Sequence, residues 1–293
     1  MSRLDVFNEH RSLLFGLAYR MSGSRSDAED IVQEAFIRWQ SAPVDEVSSP
    51  KAYLSTIVTR LAIDHLRTAK VQREEYVGPW LPEPILTTDT RDPLTMSALA
   101  ESLSLAFLVV LENLSETERA AFLLHEVFEY DYSDIAKMIG KNEAACRQLV
   151  HRAKERVAMK PGRFEASTET SRQIAQQFLE AAQSGDIDGL MSMLAPDVRL
   201  VADGGGKVAA AKKPVDGADA VARLIDGLMK KFLPAGAILN VTEANGQTAL
   251  MISLGNTVIS MSVLEIRDGL IRGIFAIANP DKLRRLDTRE AVS

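Results

Sequence analysis

The sequence predicts a multidomain chain, with two all-α domains followed by a C-terminal α+β domain on a curved antiparallel sheet. Three observations carry this prediction. Apolar residues recur at helical spacing over residues 1–75 and again from about Leu94 to Val157, with capping signals at the helix starts. Between these stretches Val77 to Pro93 holds four prolines; proline lacks the N–H a helix interior needs, so this segment is expected to run extended. Beyond Lys160-Pro161-Gly162, alternating apolar segments are broken by Asn245-Gly246, Gly255-Asn256 and Asp268-Gly269. Asn-Gly and Asp-Gly tolerate the positive φ of tight hairpin turns. The expected partition is a helical domain at 1–75, a Pro-rich linker at 76–95, a second helical domain at 96–160 and the α+β domain at 161–293.

Each element has a local justification. Ser26-Asp27-Ala28-Glu29 reads as a capping box, and Ser49-Pro50 as an N-cap followed by proline at the first helical position. The helix from Pro50 turns Tyr53, Leu54, Ile57, Val58, Leu61 and Ala62 inward, leaving Arg60, Asp64, Arg67, Lys70 and Arg73 along its outer side. Leu114 to Val157 reads as three short amphipathic helices, the last two joined by a tight turn at Gly140-Lys141. Asn142 can cap the final helix by accepting an orphan backbone N–H. On that helix Cys146, Leu149, Val150, Ala153 and Val157 share one arc. Arg147, Gln148, His151, Arg152, Lys154 and Arg156 cover the other. In the last domain, helices at Thr168 to Ser184 and Ile187 to Leu194 lead to a short strand and a helix over Gly217 to Phe232. Strands AILNVTEA, TALMISL, NTVISMSVLEIR and LIRGIFAIA follow.

Composition bounds the function. A 46% hydrophobic and 25% charged chain of 293 residues is ordinary for globular domains. A single cysteine excludes an internal disulfide and a Cys-cluster metal site, and fits a reducing cytoplasm. No apolar run approaches the roughly 20 residues that span a bilayer, and the start carries no secretory h-region; no membrane partner is expected. The net charge of −6 argues against tight, sequence-blind DNA binding by the whole chain.

A short helix, a glycine turn and a second helix with basic and amide side chains outward form the helix-turn-helix pattern, whose second helix fits the major groove. Arg147, Gln148 and His151 are expected to read base edges, with Lys141, Asn142, Arg152 and Lys154 on the same −35 surface and the cations among them nearer phosphates. The plainer alternative is a helical hairpin with a solvated face. Two further stretches decide between them: DAEDIVQEAFIRW (Asp27 to Trp39) and SPKAYLSTIVTRLAIDHLR (Ser49 to Arg67). They resemble regions 2.1–2.2 and 2.3–2.4 of extracytoplasmic-function (ECF) RNA polymerase sigma factors, and Leu114 to Val157 resembles region 4.

The resemblance implies a non-enzymatic, cytoplasmic initiation factor without a cofactor, whose partners are promoter DNA and core RNA polymerase, at its β′ clamp and β flap. Asp27, Glu29, Asp30, Gln33, Glu34 and Arg38 would dock on the β′ clamp. Ile31, Val32, Ala35 and Phe36 of the same helix read as core. Arg60, Asp64, Arg67 and Lys70 would meet the melting −10 element, where cations suit phosphates and unstacked bases. His65 reads as a surface polar residue and His125, in the apolar run AAFLLHEVF, as a packed or capped core residue.

The signatures WLPEP (Trp80, Leu81, Pro82, Glu83, Pro84), DGGGK (Asp203, Gly204, Gly205, Gly206, Lys207) and NPDKL (Asn279, Pro280, Asp281, Lys282, Leu283) resemble those of the SigJ-like group. In that group a fused SnoaL-like cone regulates the sigma domains, so these residues are expected to form a regulatory contact. SnoaL-like cones often enclose an apolar pocket, and a small ligand there is left open. A buried Asp203 could serve as a general base, yet the four histidines, His10, His65, His125 and His151, all lie outside this domain. The triple glycine fits neither a dinucleotide fingerprint nor a P-loop. Leu190, Met191, Met193 and Leu194 read as core. Two rival readings, a SnoaL-like cyclase or isomerase and a ligand-sensing helix-turn-helix repressor, part from the sigma factor on polymerase binding.

Overall fold

The computed structural model describes residues 2–42, 47, 49–87, 103–158 and 168–286, with side chains left out at 70–74, 158 and 168. The Lys160-Pro161-Gly162 hinge, the 88–95 end of the linker and the helix start expected at Leu94 lie outside the described residues. Contacts divide the chain into two compact units. One comprises Met1–Glu75, Met96–Leu103 and Phe107–Pro161; the other comprises Tyr76–Thr95, Ser104–Ala106 and Gly162–Ser293. This differs from the expected partition in two ways. The two helical domains fall in one unit, and the described part of the Pro-rich segment, residues 77–87, belongs to the α+β unit.

In the helical unit, α1 (Arg3–Ser22), α2 (Arg25–Gln40) and α3 (Pro50–Glu74) precede α5 (Glu116–Glu126), α6 (Tyr132–Ile139) and α7 (Glu143–Ala158); α4 (Leu105–Leu111) starts on residues of the other unit. The cap of helix α2 is Ser24, two residues before the expected Ser26. Gly23, at φ 70°, ends α1 and leaves Ser24 extended, and the Ser24 hydroxyl then accepts the Asp27 N–H at 3.2 Å. Ser26 bonds to Ser24 instead. Ser49 does cap α3, accepting from the Ala52 N–H at 3.3 Å. Leu14, Leu17, Tyr19, Trp39, Leu54 and Val58 are fully buried between α1, α2 and α3. The later helices are tied to this core by Arg119, 3% exposed, which donates to the Met21 carbonyl at 2.6 Å and the Leu111 carbonyl at 3.1 Å. A guanidinium so buried must have its donors satisfied, which fixes the approach of α5.

The α+β unit stacks α8 (Thr168–Ser184), α9 (Ile187–Met193) and α10 (Ala218–Phe232) on a sheet of β1 (Leu194–Asp203), β2 (Val215–Asp216), β3 (Ala237–Ala244), β4 (Gln247–Leu254), β5 (Thr257–Arg267) and β6 (Leu270–Ile277). A short α11 (Pro280–Leu283) and a 3-10 turn (Arg284–Leu286) follow. Strand order is β2-β1-β6-β5-β4-β3. The β3–β4–β5–β6 meander is antiparallel, as its turns dictate: Asn245 and Asp268 take φ of 55° and 53°, each before a positive-φ glycine. The sheet is nevertheless mixed, because β1 pairs with β6 in parallel. No hairpin joins those two strands, so hairpin signals could not report their direction. Phe178, Leu190, Val198, Val221, Leu264 and Ile274 form the core. Leu190 and Leu194 are buried as expected, whereas Met191 is 36% exposed. Residues 85–87 run along the β3–β4 hairpin. Ile85 exchanges bonds with Asn245 at 2.8 and 2.9 Å, and Leu86 bridges Ala244.

Candidate functional site

The turn before α7 has the chemistry its sequence implies. Gly140 adopts φ 66°, the Lys141 N–H closes on Ala136 O at 3.0 Å, and the Asn142 side chain accepts from the Ala145 N–H at 2.8 Å. Cys146, Leu149, Val150 and Ala153 are buried. Lys141, Asn142, Arg147, Gln148, His151, Arg152 and Lys154 are all exposed. Arg147, Gln148, His151 and Arg152 line one surface recess. Arg147 pairs with Glu143 at 2.9 Å and lies over the Tyr132 ring, 5.0 Å from its centroid. Arg152 and Arg156 instead reach Glu118 at 3.2 and 2.6 Å, and Lys154 reaches Glu126 at 2.8 Å. Burial pushes the Glu118 carboxyl upward, but the Ser115 N–H and hydroxyl with Arg156 and Arg152 hold it below the ordinary range. Sequence reasoning missed Tyr132, Glu118 and Glu126. Glu118 had a signal, since Ser115-x-x-Glu118 is a capping box, present here. His125 is half-buried, not core: it stacks on Tyr132 at 4.3 Å and bonds Glu126.

Along α3 the expected −10 residues are mostly engaged. Arg60 donates to the Met138 and Lys137 carbonyls at 3.0 and 2.9 Å, satisfying the C-terminal end of α6. Arg67 pairs with Asp64 at 3.2 Å and Glu116 at 3.4 Å. The Lys70 side chain lies outside the described residues. On α2, Ile31, Val32 and Ala35 are buried and Phe36 packs on Phe7. Asp30 and Gln33 are exposed, Glu34 pairs with Arg38 at 2.8 Å and Glu29 with Arg25 at 3.2 Å. Asp27 lies 3.1 Å from His65 Nε2. Ile37, missed in the sequence, stands 51% exposed among these polar groups.

The three signatures of the α+β unit converge on Asp203, which is fully buried. Its carboxylate accepts from the Tyr76 hydroxyl at 2.5 Å, the Leu81 N–H at 2.9 Å, the Gly205 N–H at 3.0 Å and Lys282 Nζ at 2.7 Å. Lys282 also donates to the Leu81 carbonyl and sits 4.1 Å from the Trp80 ring centroid. Asn279 caps α11 through Asp281, with Pro280 at its first position, and donates to the Tyr76 oxygen at 2.8 Å. Lys207 pairs with Asp281. Gly205 is required by packing, since a Cβ there would lie 2.4 Å from the Asn279 amide. Leu81, Pro82, Pro84 and Leu283 are buried, Glu83 is half-buried, and Gly204 folds its loop tightly onto Val208. Tyr76, four residues before Trp80, had no sequence signal. Burial, then the Asp203 carboxylate, raises its phenol pKa. Among the described residues no cluster of His, Cys, Asp and Glu could hold a metal ion.

Residues 6–71 match Sigma-70 region 2, and residues 104–157 match Sigma-70, region 4. The region 2 helices and the helix-turn-helix of region 4 therefore define a sigma factor. ECF RNA polymerase sigma factor SigJ of Mycobacterium tuberculosis is 38% identical over 292 residues, spanning 96% of this chain and 92% of that protein. Probable ECF RNA polymerase sigma factor SigI of the same species is 33% identical over 283 residues, spanning 95% and 93%. The crystal structure of the M. tuberculosis SigJ matches with a TM-score of 0.77 at 34% identity, covering 96% of this chain and 98% of that one. The chain belongs to the ECF RNA polymerase sigma factors and, as such, directs core polymerase to promoter DNA. Its C-terminal domain is the helix-and-sheet domain that accompanies the sigma regions throughout that match. No described helix is long and apolar enough to cross a membrane.

Proposed function

We propose that the C-terminal domain regulates initiation by holding the segment that joins the two sigma regions in sequence. The observation that carries this is the attachment of that segment near both ends. Asp203 binds Tyr76 and Leu81, and the Gln247 side chain accepts the Leu105 N–H at 2.7 Å. Attached in cis, even weak contacts act at roughly millimolar effective concentration. The Arg147, Gln148 and His151 side chains read the −35 element, with Lys141, Asn142, Arg152 and Lys154 as its flanking contacts. Arg60, Asp64, Arg67 and Lys70 serve the −10 element once Arg60 leaves α6. Asp27, Glu29, Asp30, Gln33, Glu34 and Arg38, with Ile37, dock on the β′ clamp, and region 4 meets the β flap. This work takes place in the cytoplasm.

The C-terminal domain acts by binding rather than catalysis. The Asp203 carboxylate is already engaged by four donors, so it is no general base, and a small ligand enters the domain as a signal. Run-off transcription with core polymerase tests the regulatory reading. A chain ending at Ala278 loses Asn279 and Lys282, which frees the joining segment, and should transcribe more. A chain ending at Pro161 discards as well the surface that helps hold the sigma domains productively, and should transcribe less. Indifference to both cuts would refute the reading.

A further inference from the structure

The C-terminal domain contains a cavity of about 640 Å³ between α8, α10 and the sheet, walled by Phe178, Leu224, Met229, Leu250 and Ile274. That volume lies within the range of small-molecule sites, roughly 300–1,000 Å³. Protein interiors otherwise close voids down to about the size of a water molecule, and water persists only where it finds 2–4 polar partners. None of the described lining residues is charged, and the side-chain hydroxyls among them are Ser260 and Ser262, two residues apart on β5. We propose that this cavity binds a neutral apolar molecule carrying one hydroxyl or carbonyl group. A carboxylate, phosphate or ammonium would be desolvated there without a counter-charge. A single oxygen function can instead exchange a hydrogen bond with the Ser260 or Ser262 hydroxyl. Phe232, Val208 and Leu228, which are 61%, 40% and 38% exposed, mark the mouth and give an apolar molecule its first contacts.

The occupant would sit one residue from the Asp203 contact. Ala202 and Ala278 line the cavity; Asp203 follows the first, Asn279 follows the second, and the Ala278 N–H donates to the Asp203 carbonyl at 2.8 Å. This coupling, though not the binding itself, rests on the regulatory reading above. The test is fluorescence titration of the full chain with the neutral probe N-phenyl-1-naphthylamine, followed by displacement. Saturable one-to-one binding is expected, with 1-dodecanol displacing the probe at roughly tenfold lower concentration than dodecanoate or dodecylamine. Ala276→Phe, which fills the cavity, should weaken probe binding by roughly tenfold with an unchanged circular dichroism spectrum. If that variant does not fold, Ser260→Ala with Ser262→Ala should keep probe binding and remove the preference for dodecanol over dodecane. No saturable binding by the folded chain, or equal displacement by dodecanoate, overturns the proposal. Probe binding alongside indifferent truncations would leave the ligand site standing and the regulatory reading refuted; the reverse pattern would do the opposite.

Discussion

Arg147 is held by Glu143 one turn back and rests on Tyr132, so it is pre-oriented at the start of α7. An exposed i,i+4 pair of this kind is worth about 0.3–0.5 kcal/mol, little enough for a base edge to displace the glutamate. Arg147→Ala should weaken −35 binding by about 1–3 kcal/mol and relax one base position. Lys154, turned toward Glu126, should behave differently: Lys154→Ala should weaken binding evenly across sequences and lower its salt dependence. Equilibrium binding of holoenzyme to a panel of −35 variants separates the two, and uniform loss from both would mean α7 is oriented otherwise. At Tyr76 the consequence is for pH. The folded state keeps the phenolic proton above the ordinary value of 10.0, where the unfolded chain releases it, so stability falls as pH rises beyond 10.0. Tyr76→Phe should cost about 1–3 kcal/mol at neutral pH by leaving Asp203 and Asn279 short of a partner. It should also flatten the alkaline limb of the denaturation curve. An equally steep limb in the variant would assign the effect to another group.

At the scale of elements, α2 buries Ile31, Val32 and Ala35 and presents Asp30, Gln33 and Arg38 outward. Charge reversal at Asp30 and Glu34 should abolish holoenzyme assembly in a core-polymerase pull-down. Stability should change by no more than about 0.5 kcal/mol, since neither side chain is buried. A folded double variant that binds core normally would remove docking from this helix. The same elements show what a sequence makes readable. Helix faces, the α7 cap and the hairpins at Asn245-Gly246 and Asp268-Gly269 are written in local residue type, and each formed where expected. The parallel β1–β6 pair, the Arg119 tie to Met21 and the Arg60 cap on α6 join residues far apart in sequence. No local spacing encodes them. Ile37 was hidden for a different reason: one apolar residue on an otherwise polar face leaves no periodic mark.

At the scale of the whole molecule, the regulatory account depends on one buried charge pair. Asp203 and Lys282 are 0% and 7% exposed as side chains, and removing one partner of such a pair costs about 3–5 kcal/mol because the other stays buried and unpaired. Signatures far apart in the sequence thus form a single contact: Trp80 meets Lys282, and Lys282 meets Asp203. Groups that share a partner should not behave additively when replaced. The most direct measurement is a double-mutant cycle in run-off transcription with core polymerase, using Trp80→Ala, Asp203→Asn and both together. Each single change should raise transcription, and the double variant should do no more than the larger single one. Strictly additive effects, or transcription unchanged by any of the three, would contradict regulation through this contact.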